Sequence, residues 1–111
     1  MKVIFVTIPE AEAQRFANKL VREQLVACVN ILPHIKSTYL WRGEVCTDQE
    51  ALLMLKTASS RVPALRDYVL REHPYDVPEF IVTDVNVPLS SPAYVTWVSD
   101  VTEGSANPQT E

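Results

Sequence analysis

Apolar residues follow different periods along this chain, and each period predicts an element. Val3, Ile4, Phe5, Val6 and Ile8 make a nearly continuous apolar run, which reads as a central strand over 2–8 buried on both faces. Pro9 closes it, and Glu10 and Glu12 suit the positive end of a helix. From there Ala13, Phe16, Ala17, Leu20 and Val21 recur at three- and four-residue spacing, which predicts an amphipathic helix ending near Gln24. Val62, Leu65 and Val69, with Tyr68 beside them, form the inward stripe of a second helix. Ser59 or Ser60 is its expected cap, Pro63 sits in its first turn, and it stops before Pro74. A last strand spans 80–87, its second half alternating apolar and polar. Ser91 and Pro92 start a third helix that shares Tyr94, Trp97, Val98 and Val101 on one face.

Between the first two helices lies the longest feature. Val26–Trp41 and Glu44–Thr57 read as two strands around a turn at Arg42 and Gly43, with Gly43 supplying the positive φ of a two-residue loop. An arm of about 16 residues spans roughly 50 Å, whereas a globule of this chain length is roughly 34 Å across. The hairpin must bend or be covered. Pro33 lacks a backbone donor and marks the expected bulge. Tyr39, Leu40 and Trp41 are too apolar for a bare tip, so the distal half is expected to pack on copies of the same chain.

The order β-α-β-β-α-β plus a C-terminal helix predicts an α+β, ferredoxin-like fold. Right-handed crossovers place the first two helices on one face of a four-stranded antiparallel sheet and leave the other face uncovered by this chain. Residues 1–101 form one domain. Positions 102–111 lack an apolar pattern and are expected to be a disordered tail.

Composition narrows the function classes. The 111 residues are 47 % hydrophobic and 22 % charged, with net charge −4. No basic stripe points to nucleic acid, and no apolar run approaches the ~20 residues needed to span a bilayer. A cytoplasmic protein is expected. The two cysteines, Cys28 and Cys46, fall far out of register across the hairpin and read as free thiols. With two glycines, Gly43 and Gly104, there is no phosphate-cradling loop. Cys-x-x-Cys, His-Glu-x-x-His and Gly-x-Ser-x-Gly are all missing from the sequence. The chain does not read as an enzyme.

Two places invite chemistry. In Glu72-His73-Pro74-Tyr75-Asp76-Val77-Pro78-Glu79, prolines hold polar side chains in a fixed relation. Glu72 and His73 there offer an oxygen and an imidazole, both ligands for Cu²⁺ or Zn²⁺. A histidine ending a helix also commonly bonds the last carbonyls. The second place is an inter-subunit cleft expected from Tyr39, Trp41, Lys56, Tyr75 and Glu79. Plain interface packing is the alternative for the two hairpin aromatics.

Four stretches, 25–33, 37–44, 54–57 and 73–79, closely resemble the CutA divalent-cation tolerance family, and the resemblance runs from residue 2 to 101. It implies a homotrimer of ferredoxin-like protomers, related in fold to PII signal proteins, that binds divalent metal ions, copper above all. Some copper-binding members place a cysteine in the first strand where this chain has Val6. Their two adjacent histidines correspond to Glu72 and His73. The resemblance therefore implies Glu72 and His73 as metal ligands, with one ligand lost at Val6. A PII-like signalling or scaffold trimer, taking a small ligand or a protein partner in its clefts, is the alternative.

Overall fold

The computed structural model describes residues 1–103. The elements follow in the order β1 (Lys2–Ile8), α1 (Glu10–Arg22), β2 (Cys28–Trp41), β3 (Glu44–Thr57), α2 (Val62–Glu72), β4 (Ile81–Asp84) and α3 (Pro92–Glu103). The sheet is antiparallel with order β2-β3-β1-β4. This is the expected α+β, ferredoxin-like arrangement. Ile4, Val6 and Ile8 of β1 and Ala51, Leu53 and Leu55 of β3 form one buried face. Phe16 and Leu20 of α1 and Leu65 and Val69 of α2 cover it. Burying side chains of this size stabilises by roughly 1.5–3 kcal/mol each.

Helix α1 ends where expected, and its exit shows why. The N–H of Gln24 bonds Val21 O at 3.0 Å and that of Leu25 bonds Leu20 O at 3.1 Å. Gln24 takes φ 56, the left-handed position that closes a helix and usually holds glycine.

The hairpin sets the molecular shape. The chain measures 51 × 28 × 23 Å, so the paired arms overhang the body of the domain. Arg42 and Gly43 turn with φ 51 and 81, both positive as a type I′ turn requires. Tyr39 faces Cys46 and Ile35 faces Glu50 in one register; beyond them Leu32 faces Leu52 and Cys28 faces Lys56 in another. Pro33 and His34 together oppose Ala51, which is the bulge expected at Pro33. The cysteines are free and half-buried.

Several local expectations fail for identifiable reasons. Strand β1 is buried on one face only, with Val3, Phe5 and Thr7 half-buried on the other. No serine side chain caps α2. A 3₁₀ turn, Ser59–Arg61, leads into the helix instead, and Ser60 donates to Glu103 at 2.5 Å. Strand β4 stops at Asp84 because the Asn86 side chain accepts the Leu89 N–H at 3.2 Å and starts a 3₁₀ turn, Val87–Leu89. Helix α3 runs through Thr102 to Glu103 rather than ending at 101. Thr102 is buried, donating to Val98 O at 2.8 Å and accepting the Ala58 N–H at 3.3 Å. Its buried positions are Val98 and Thr102, while Trp97 stays 45 % exposed. The rest of the expected tail, 104–111, lies outside the described residues.

The second sheet face is not wholly bare. Tyr94 of α3 lies with its ring centroid 5.7 Å from Lys56 Nζ, so α3 covers the Cys28–Lys56 end. Leu32 and Ile81 remain exposed.

Candidate functional site

Beyond the bulge, β2 and β3 leave the body and form one wall of a cleft of about 540 Å³. Side chains alternate along each strand. Tyr39 and Trp41 of β2 and Asp48 and Glu50 of β3 therefore share the face away from α1 and α2, and all four line the cleft. The opposite wall is the segment after α2, with Tyr75, Asp76, Val77 and Glu79, and Thr7 closes the end of β1.

Hydrogen bonds tie the walls together. The Tyr75 hydroxyl donates to Glu50 Oε2 at 2.6 Å. Glu50 is 5 % exposed, an unusual state for a carboxylate. The Tyr39 hydroxyl donates to Asp48. That bond, ahead of desolvation and the Asp48 charge, pushes the Tyr39 phenol up to about 12. Burial first, then the bond to Glu50, raises the Tyr75 phenol well above its usual range. Burial and then the Glu50 charge raise the Glu79 carboxyl. No lysine or arginine is among the lining residues.

Of the residues the sequence singled out for a cleft, Tyr39, Trp41, Tyr75 and Glu79 come together, and within one chain. Lys56 does not join them. It pairs with Cys28 and Val3 near the far end of the sheet and sits over the Tyr94 ring. Asp48 and Glu50 are central to the cleft, and sequence reasoning passed over them. The signal was present: Asp48, Glu50 and Leu52 alternate along a strand, so two acids share a face.

The Glu72–His73 pair is not assembled as a chelate. Helix α2 ends at Glu72, and His73 leaves it with ψ 142. His73 is buried, its Nε2 2.7 Å from Thr7 O and its Nδ1 3.1 Å from the Tyr75 N–H. The carbonyl fixes hydrogen on Nε2, and the amide occupies the lone pair of Nδ1. Neither nitrogen is open to a metal. Phe16 and Tyr75 pack against the ring at centroid distances of 6.0 and 4.7 Å. Glu72 is exposed and accepts from Arg71 Nε at 3.1 Å. Val6, where the resemblance implied a missing cysteine ligand, is fully buried in the core. Among the described residues, no three His, Cys, Asp or Glu side chains converge closely enough to hold a bare ion.

A family model described as CutA1 divalent ion tolerance protein matches residues 2–101. The chain is 45 % identical over 104 residues to Protein CutA of Mus musculus, covering 93 % of this chain and 58 % of that protein. It is 40 % identical over 102 residues to the divalent-cation tolerance protein CutA of Thermus thermophilus, covering 91 % and 97 %. The chain thus spans a little over half the length of the mammalian relatives it matches and nearly all of the bacterial one. The structure of a PII-like CutA from Nostoc superposes with a TM-score of 0.89 at 37 % identity, covering 92 % of this chain and 97 % of that one. No described helix is long and apolar enough to cross a membrane.

Proposed function

Since the chain belongs to the CutA1 divalent ion tolerance family, we propose that it acts in divalent-cation tolerance as a homotrimer, and that the hairpin cleft takes a hydrated divalent cation. The cleft carries the reading. Three of its carboxylates, Asp48, Glu50 and Glu79, face a space without a basic residue, so its field favours cations over anions. Its donors are oxygens, which suit hard ions that keep part of their water shell. That fits side chains too dispersed to close on a bare ion. PII-like signalling through the same cleft, with cation occupancy as the message, is compatible with this chemistry. The exposed tip residues Leu40 and Val45, at 70 and 77 %, support the trimer by the cost of leaving them in water. Free thiols at Cys28 and Cys46 suit a reducing cytoplasm.

Mn²⁺ titration followed by water-proton relaxation tests the cleft, because a bound ion that keeps water enhances relaxation. Saturable binding weakened roughly tenfold, about 1.4 kcal/mol, in both Asp48→Asn and Glu79→Gln is expected. Unsaturable binding, or equal binding by both variants, moves the cation elsewhere. Sedimentation equilibrium reads the assembly, and a monomer overturns the trimer.

A further inference from the structure

Two tyrosine–carboxylate pairs line the cleft, and each leaves one oxygen free. Tyr75 donates to Glu50 Oε2 at 2.6 Å, and Tyr39 donates to Asp48 Oδ2. Each bond fixes a carboxylate while occupying only one of its oxygens. Among the described residues, nothing bonds Glu50 Oε1 or Asp48 Oδ1. Glu50 is the more costly of the two to leave so. It is 5 % exposed, it lines the cleft, and no described salt bridge neutralises it. A buried carboxylate with an open oxygen and no counter-charge favours a cation beside it.

The spread of the negative charge selects the kind of cation. Asp48 and Glu50 stand two residues apart on one face of β3, roughly 7 Å along the strand. The acidic side chains do not converge on one point, so two charges joined by a short chain match them better than one small ion does. Tyr39 and Trp41 line the same wall and offer flat apolar surface to such a chain. Arg42 already lies over the Trp41 ring, 5.6 Å from its centroid, so this ring serves as a wall and not as a further cation seat. A volume of about 540 Å³ is that of a small-molecule cleft.

We propose that the cleft takes a linear aliphatic diamine or polyamine, with one ammonium on Glu50 Oε1, the next on Asp48 Oδ1, and the three or four methylenes between them against Tyr39 and Trp41. Each ammonium brings three donors and no acceptor, which suits a lining that offers oxygens and no base. Glu79, on the opposite wall, receives a third ammonium where the ligand has one. The inference rests on the cation-favouring cleft proposed above, but not on a metal ion occupying it.

Calorimetric titration of the assembled full chain with 1,4-diaminobutane tests it, with 1-aminobutane as the singly charged control. The diamine should saturate and bind at least about tenfold more tightly than the monoamine, since its second ammonium makes a charge-assisted bond. Asp48→Asn keeps an oxygen for the Tyr39 hydroxyl and loses the second charge. In that variant the preference should shrink to about twofold, the statistical gain of two equivalent ends. Unsaturable binding of the diamine, or equal affinity for diamine and monoamine, overturns the proposal. A tenfold preference that persists in Asp48→Asn overturns the pairing of Asp48 with Glu50. The ratio in the unaltered chain decides the proposal even if the variant fails to fold. Mn²⁺ binding without diamine binding sinks this inference and leaves the hydrated-cation reading standing; diamine binding without Mn²⁺ binding does the reverse.

Discussion

Tyr75 and Glu50 meet at 2.6 Å, hydroxyl to carboxylate, and this bond joins the segment after α2 to the hairpin arm that overhangs the body. Glu50 is 5 % exposed, and no described salt bridge neutralises it. The Tyr75 hydroxyl therefore supplies hydrogen bonding that water would otherwise provide. Hydrogen bonds to charged groups contribute about 1.5–3 kcal/mol. Tyr75→Phe should lower stability by that amount, or the melting temperature by roughly 10 °C. Unfolding is compared at equal protein concentration, since assembly makes melting concentration-dependent. A change within about 0.5 kcal/mol, the range of ordinary surface substitutions, would show that water replaces the hydroxyl.

Glu79 should give the cleft a pH dependence. Burial and then the Glu50 charge raise its carboxyl, so the folded chain holds this proton more tightly than the unfolded one. Its contribution to stability is full below the ordinary glutamate value of about 4.3 and is lost as pH rises through the raised value. A bound cation works the other way, favouring the ionised form, so Mn²⁺ affinity should fall as pH drops through the same window. In Glu79→Gln both slopes should flatten there. An unchanged pH profile in the variant would assign the titration to another group.

The hairpin turn should respond to backbone strain alone. A Cβ on Gly43 would meet nothing within 4 Å, yet its φ is 81. Gly43→Ala should cost about 1–2 kcal/mol, the left-handed penalty of an L-residue. Arg42 already bears part of such a penalty at φ 51, and Arg42→Asn should recover ~0.5 kcal/mol, since asparagine visits this region more readily. Urea unfolding reads both variants. A neutral Gly43→Ala would mean that the turn relaxes to another type.

The candidate site was half legible. Tyr39, Trp41, Tyr75 and Glu79 could be grouped because aromatic residues at an overlong hairpin tip and acids held by prolines both need partners. Within one chain Lys56 stands apart from them, because the sheet register sets it against Cys28 and Val3. His73 looked like a ligand because its sequence neighbours are polar. The residue that decides its chemistry, Thr7, is 66 positions away.

What the sequence determined by itself is whatever depends on neighbours within a few residues. The apolar period of α1, the positive φ demanded at Gly43, the break at Pro33 and the stop before Pro74 are local, and together they prescribe the order of strands and helices. Tertiary structure decided what depends on contacts between distant segments. The pairing of Thr102 with Ala58, 44 positions apart, drew α3 past its apolar pattern. The bulge register set Asp48 and Glu50 against the Tyr75 loop. Carbonyl and amide partners closed His73. A histidine's donor capacity is set by which groups reach its two nitrogens, and the residue's place in the chain carries no record of them.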